Sequence, residues 1–523
     1  MQAQKPQTHQ IILCSLYLAV LLLGALIFIA PAAVFPDPSW GFQVLQKMQA
    51  GGAFNIAVKP DQEDLSKNYS EFLSWWSPGQ YLIPFFLKSV FGVNTGQASA
   101  LTTTICGLLG ISGCYAFFKK AGFTPALATV SVLVIAFQQA FIVPYVFYNG
   151  GEVLLFGFAG WFLYGCINMD KAGWKLALFL LFSGWIGFFC KSSFLWVYGA
   201  ACLYLWICLS QNQLKAIHWI KNGAWIATPA ILSFVLIELL YLSKGANPAG
   251  QTAGFLLSWQ SLAFPLASPL LAGFSVDDIF HGLVFQSNAA IVGSTRAAII
   301  LLLSAVVSVF LVVNVIRHVP HKKYSFLVLV FYAVSVLFFG YSFLHQASIS
   351  YEARHFRVIG LLITPGIVYL VSLWRQPFRI MFGVICLLIA GLSLRYFIPS
   401  YIHNKNISAK GTSGLAQMFI DQHSLDEIIS LDKKNTGALF VFISPDLGLE
   451  INHNRYITLD PIGADVKIDF DDYVHYGHAG PVFILLPASY MGPKSNIIRK
   501  CFPGYKGFHM DMLSDGYVLY SAK

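Results

Sequence analysis

Runs of about 20 apolar residues recur along the first 400 positions, separated by short polar breaks. Each is long enough to cross ~30 Å of hydrocarbon as a helix. The pattern predicts eleven spans, near residues 11–33, 96–118, 124–143, 151–169, 176–191, 193–209, 224–242, 296–316, 326–344, 358–374 and 380–398. Two apolar stretches do not fit as spans. PGQYLIPFFLKSVFG (78–92) is too short, and in SWGFQVLQKM the residues Trp40, Val44, Leu45 and Met48 fall on one helical stripe. Both predict amphipathic helices lying on the membrane, with Trp75 and Trp76 at headgroup level and the polar connector KPDQEDLSKNYSE between them. From residue 399 the rhythm changes. ALFVFISPD, RYITLD, PVFILLPASY and DGYVLYSAK have the look of short strands set among polar turns and helical pieces. The expected architecture is an α-helical polytopic membrane domain over 1–398 and a small α/β domain over 399–523.

Composition agrees with this pattern. Of 523 residues 56% are hydrophobic and 11% charged, against about 25% charged in ordinary soluble proteins. The net charge of +9 does not indicate a nucleic-acid partner, because the cations sit in alternate loops. Lys5, Lys119, Lys120, Lys171, Lys175, Lys215, Lys221, Arg317, Lys322, Lys323, Arg375 and Arg379 share one side of the membrane, with Asp170 as their only acid. The positive-inside rule then places the N-terminus in the cytoplasm and the 399–523 domain outside, in the periplasm if this is a bacterial inner-membrane protein. The first apolar run exceeds a signal-peptide core and is expected to be retained. Eight of the nine cysteines lie in apolar runs, so no disulfide framework or CxxC motif is expected.

Ionisable residues at membrane depth are costly and point to function. Here they collect at the outer ends of spans: Asp37 in PDPSW, Glu152 in NGGEVLLF, Lys191 in CKSSF, and Glu352, Arg354 and Arg357 in YEARHFR. Tyr148, Asn149, Tyr351, His355 and Trp76 stand beside them as candidate substrate contacts. Each has a plainer reading. Asp37 followed by Pro38 makes a good helix start, with Asp as the cap and Pro at the first position. Glu152 favours a helix dipole, Lys191 can snorkel, and the two arginines can hold lipid headgroups or Glu352. In SVDDIFHG, Asp277, Asp278 and His281 fall within one helical turn, a spacing compatible with a divalent metal. Ser275 and Asp278 also form an S-x-x-D pattern, and capping is the expectation adopted.

In order and topology these segments resemble the GT-C glycosyltransferases, in particular the lipid A aminoarabinose transferases and the protein O-mannosyltransferases. The likeness covers roughly residues 10–400: an acidic motif after span 1 (PDPSW), two juxtamembrane helices, WWSPGQYLIPFFLKSVFG before span 2, NGGEVLLF, CKSSF and YEARHFR. Pro38 stands where the family often has a second acid, and Ser77 where it often has a basic residue. The resemblance implies transfer of a sugar from a polyprenyl-phosphate donor to an acceptor hydroxyl of a lipid, glycan or protein at the extracytoplasmic face. Lys191, Arg354 and Arg357 would stabilise the leaving phosphate. Asp37 would take the acceptor proton, with Glu152 as the second acid, and direct attack would invert the anomeric carbon. This scheme requires no cofactor and no metal. A transporter or flippase of lipid-linked sugars is the competing reading, and an inactive binding scaffold a third.

Overall fold

The computed structural model describes residues 7–246, 252–285, 290–459 and 473–523. Lys5 lies outside them. The chain opens with α1 (Thr8–Ile29), the short strand β1 (Ala33–Val34) and α2 (Pro36–Gln49). The connector predicted to be plain polar chain is instead an antiparallel hairpin, β2 (Ile56–Pro60) and β3 (Asn68–Phe72), which leads to α3 (Gly79–Phe91). Helix α3 exposes Phe86, Val90 and Phe91 at 60%, 57% and 62%, the apolar face a membrane-lying helix needs. The stripe expected to lie on the membrane in α2 is instead turned into the protein: Val44 and Leu45 are buried against Tyr81, Tyr148 and Leu449, because the tail and α3 cover that face. Next come α4 (Thr95–Lys120), α5 (Pro125–Ala136), α6 (Gln139–Ile142), β4 (Phe147–Tyr148), α7 (Gly151–Asn168), α8 (Trp174–Cys190), α9 (Phe194–Ser210) and α10 (Ala216–Leu240). Three short helices, α11 (Trp259–Leu266), α12 (Ser268–Gly273) and α13 (Val276–Phe280), precede the long α14 (Ser294–His318), α15 (Lys322–Leu344), α16 (Arg357–Leu373) and α17 (Gln376–Asn406).

Among the described residues, eight helices are long and apolar enough to cross a membrane, and the bent pair α5–α6 makes nine if it is one span; two further predicted spans are the shorter apolar helices α8 and α9, of 17 residues each. This is an integral membrane protein. The span expected as continuous over 124–143 is broken, with a bend of 70° between α5 and the segment that follows. The break falls at Gln138. Its backbone is extended (φ −69°, ψ 144°), and its side-chain amide donates to the Val134 carbonyl at 3.0 Å. A polar side chain thus satisfies one carbonyl that the end of α5 leaves orphaned. Helices α4 and α7 pack closest through small residues. A methyl group at Gly160 would lie 2.4 Å from the backbone nitrogen of Cys114.

Helix α17 passes the expected boundary at 398 and runs to Asn406. Beyond it lie β5 (Ala409–Lys410), β6 (Ala416–Gln417), α18 (Gln422–Lys434), β7 (Leu439–Phe442), β8 (Arg455–Thr458), β9 (Val482–Pro487), α19 (Pro493–Lys500), β10 (His509–Met512) and β11 (Tyr517–Ala522). The main sheet has the order β10-β11-β9-β7-β8, parallel where β7 meets β8 and β9 and antiparallel elsewhere. Side chains alternate between its faces: Leu439, Val441 and Ile484 pack with Ile498 of α19, and Phe440, Phe442 and Leu485 pack with Leu425 and Ile428 of α18. This α/β unit is docked on the membrane part. Leu65, from the polar connector, is fully buried in the core of the tail. Its amide donates to the Tyr476 carbonyl at 2.8 Å, while Gln43 and Gln46 of α2 donate to backbone carbonyls of 445–451.

Candidate active site

Residues 33 to 38 reach their place through a non-local ladder. β1 pairs in parallel with β4, Ala33 opposite Phe147 and Val34 opposite Tyr148, and the Phe35 amide donates to the Tyr148 carbonyl at 2.9 Å. Both strands run directly into helices, so Asp37 and Glu152 each fall in a first turn, where the helix dipole favours negative charge. Gly150 permits the approach: its φ is +51°, and a Cβ there would lie 2.6 Å from Cβ of Gln80 and 3.3 Å from Cβ of Pro38. The expected cap at Asp37 is not made. Pro36, not Pro38, opens the helix, Phe35 holds the cap position, and the Asp37 side chain makes no capping bond. Proline suits the first helical position, and with two prolines available the chain uses the earlier one.

The Asp37 carboxylate is instead bound by Arg354, whose Nη1 is 3.1 Å from Oδ2. Arg354 lies in a single 3-10 turn (Ala353–Phe356) ahead of α16. It stands among three carboxylates: Asp37, Glu152 at 3.8 Å, and Glu352 in direct contact with Nε. Its guanidinium also sits 5.3 Å from the ring centre of Phe35. Lys191, extended at the end of α8, pairs with Glu152; both side chains are 12% exposed. Burial pushes the Asp37 carboxyl above its ordinary range, against the opposing pull of Arg354. Nη2 of Arg357 contacts both carboxylate oxygens of Asp278 at 2.9 Å.

Asp277 has a different task. Its two oxygens accept from the amides of Leu283 at 3.1 Å and Ala353 at 2.9 Å, tying the 276–283 loop to the turn that carries Arg354. Burial, with Asp278 adjacent, pushes its carboxyl up to about 6. The expected S-x-x-D cap does not form: Ser275 has φ +52° and makes no side-chain cap. His281, at the other end of α13, is also left-handed, at φ +58°. A left-handed residue cannot supply the extended backbone of a helix cap. Among the described residues, no three His, Cys, Asp or Glu side chains come together to hold a metal ion.

A cavity of about 590 Å³ opens beside these ion pairs. Asn149, Glu152, Asp277, Asp278, His281, Tyr351, Glu352, Arg354 and Arg357 line it, with an apolar wall that includes Ile135, Phe141, Val153 and Leu361. Asp37 and Lys191 flank it through Arg354 and Glu152. Three other candidates lie elsewhere. Tyr148 is fully buried and donates its hydroxyl to the Gln80 carbonyl at 2.7 Å. Trp76 packs edge-on against Trp75. His355 faces Phe339, with Ser350 3.4 Å from Nε2. Sequence reasoning overlooked Thr103, Gln138, Gln139 and Tyr145, which all line the cavity. The signal was present for two of them, as the glutamine pair of FQQAF inside a predicted span.

At least eight apolar helices long enough to span a membrane, two shorter helices that follow the first of them, a charged cluster where several of these helices begin or end, and a docked α/β tail constitute a GT-C-like membrane fold. The chain matches no protein-family model and no curated protein. Among solved structures it is similar to ArnT from Cupriavidus metallidurans bound to undecaprenyl phosphate, with a TM-score of 0.50, 12% identity and 97% of both chains covered. The apo ArnT structure aligns with the same TM-score at 13% identity. The arabinofuranosyltransferase AftD from Mycobacteria aligns over 98% of this chain at 12% identity and a TM-score of 0.49, and this chain spans 39% of its length.

Proposed function

We propose that this protein is a membrane glycosyltransferase that moves a sugar from a polyprenyl-phosphate donor to an acceptor hydroxyl at the extracytoplasmic face. One observation carries the reading: Arg354, with Lys191 beside it, holds catalytic-type carboxylates at the edge of a cavity that also has an apolar wall. That arrangement suits an amphiphile with an anionic head and a hydrocarbon tail. The bound undecaprenyl phosphate in ArnT, a protein of the same fold, supports the donor class. The twelve-to-one excess of cations over acids in alternate loops supports an extracytoplasmic site.

In the proposed step the acceptor oxygen attacks the anomeric carbon. The bond from that carbon to the phosphate oxygen breaks, and its electron pair leaves with the phosphate. The acceptor proton passes to Asp37. Arg354, Lys191 and Arg357 offset the charge that grows on the leaving group, and one such contact contributes about 3 kcal/mol. The raised proton affinity of Asp37 suits a base that must accept a hydroxyl proton near neutral pH. Direct displacement inverts the anomeric centre.

The broken α5–α6 span is the one feature that a flippase would share. The two readings separate in reconstituted vesicles. A transferase binds undecaprenyl phosphate in preference to undecaprenol and converts sugar-loaded lipid to undecaprenyl phosphate when acceptor-containing membranes are added. Equal binding of the phosphate and the alcohol would remove the reading. Movement of labelled lipid between leaflets without conversion would favour the flippase.

A further inference from the structure

The charged groups account for one side of the cavity. α4, the break after α5, and the chain between α6 and α7 supply a second polar set. Thr103, Gln138, Tyr145 and Asn149 all line the cavity. Thr103 Oγ1, Gln138 Oε1, the Tyr145 hydroxyl and Asn149 Oδ1 have no hydrogen-bond partner among the described residues. Three of these residues are deeply buried, Thr103 at 3%, Gln138 at 5% and Tyr145 at 2% exposed. The orientation of Gln138 is fixed, because its nitrogen is committed to the Val134 carbonyl, which leaves the oxygen as the open group. The Tyr145 hydroxyl lies against α4 one turn from Thr103, since a Cβ on Gly107 would sit 2.9 Å from it. Four unpartnered polar atoms in one cavity are costly unless a ligand or water completes them.

The chemistry of these atoms narrows the ligand. Two are amide oxygens, which only accept, and two are hydroxyls, which accept as well as donate. None is a cation. A phosphate offers only acceptors and gains nothing from amide oxygens; its donors are Arg354, Arg357 and Lys191. What this wall lacks is a group presenting several O–H donors. We infer that Thr103, Gln138, Tyr145 and Asn149 form the subsite for the hydroxyls of the sugar ring of the lipid-linked donor. This rests on the function proposed above and adds which surface distinguishes the sugar-loaded donor from the spent carrier.

Thr103→Val and Tyr145→Phe keep shape and remove one oxygen each. In the ligand-free protein neither substitution should lower thermal stability, because each deletes a polar group that has no partner. The test compares undecaprenyl phosphate with undecaprenyl-phosphate-linked glucose, galactose, mannose and arabinofuranose, and takes the tightest-binding sugar lipid. Each variant should bind that lipid about tenfold more weakly, the loss of one hydrogen bond, while its affinity for undecaprenyl phosphate stays as in the parent. Equal weakening for both lipids would overturn the subsite. Unchanged affinity for the sugar lipid would also overturn it, and would assign the wall to acceptor hydroxyls or to water. A parent that prefers no sugar lipid over undecaprenyl phosphate overturns this inference alone. A parent that does not bind undecaprenyl phosphate removes the proposed function, and the subsite with it.

Discussion

Two groups of carboxylates differ in what holds them. Beside the cavity, Asp37, Glu152, Glu352 and Asp278 are all paired with guanidinium or ammonium groups. Where the tail domain meets α2, Glu450 and Asp446 are more deeply buried, 0% and 5% exposed. Their partners are neutral. Glu450 accepts from the Thr412 hydroxyl at 3.0 Å, from Gln417 at 3.3 Å and from both the amide and the hydroxyl of Ser413; Asp446 accepts from Ser444. A cation satisfied by a carboxylate can exchange it for a phosphate on comparable electrostatic terms. Hydroxyl and amide donors arranged round one carboxylate offer no such exchange. The first arrangement is poised to bind an anion, and the second fixes neighbouring segments of the tail domain, 412–417 and 444–450, against each other.

The contrast can be broken most severely at Arg354. Arg354→Ala removes the cation shared by three carboxylates, and undecaprenyl phosphate affinity should fall about 10³-fold. Arg354→Lys should recover part of that loss while leaving the tail domain unaffected. A smaller effect is expected in the tail. Glu450→Ala leaves the donors of Thr412, Ser413 and Gln417 unpaired and should destabilise the tail domain by roughly 2–4 kcal/mol, measured by proteolysis of the tail. Affinity for undecaprenyl phosphate should change little. If Glu450→Ala abolishes lipid binding as fully as Arg354→Ala does, the distinction between the two sets is wrong.

The smallest effect is a pH dependence. Burial raises the Asp446 carboxyl from 3.8 to about 6. A carboxyl raised on folding contributes stability that is fully present below about pH 4 and is lost as pH rises through 6. The tail of the parent should therefore lose up to about 3 kcal/mol between pH 4 and pH 8 from this group. Asp446→Asn should flatten that slope, as read from the thermal unfolding of the tail at both pH values.

Which of these features the sequence discloses depends on how local their causes are. Spans are written in local apolar runs, and the eight helices long enough to cross a membrane all lie where such runs predict them. The strands β7, β8, β9 and β11 were legible because they alternate or run apolar. The edge strand β10 was not, since all four of its residues are exposed. The 70° break in the third span escaped because the apolar run continues through it, although Gln138 and Gln139 mark the place. Leu65 was hidden in a connector that is otherwise polar, and the core it joins is drawn from residues 439 to 522. The charged candidates were recognisable from their positions at the ends of spans. Their pairings were not, because Asp37 meets Arg354 across 317 positions of sequence. The misplaced cap at Asp37 has the same origin. Local pattern offers two prolines, and the ladder to β4 helps settle where the helix starts.

Asp37 is the residue on which the account turns, and exchanging it for Asn tests the account most directly. The Asn side chain keeps the shape and can still accept a hydrogen bond from Arg354, but it cannot take a proton from a hydroxyl. The measurement is conversion of undecaprenyl-phosphate sugar to undecaprenyl phosphate by parent and Asp37→Asn in acceptor-containing membranes, followed across pH. The parent rate should fall toward acid through a point above the ordinary carboxylate range near 4, as the raised proton affinity of Asp37 dictates. The Asn variant should be at least about 100-fold slower at neutral pH, with unchanged thermal stability and undecaprenyl phosphate affinity. Near-normal transfer by the Asn variant would contradict the assignment of Asp37 as the base.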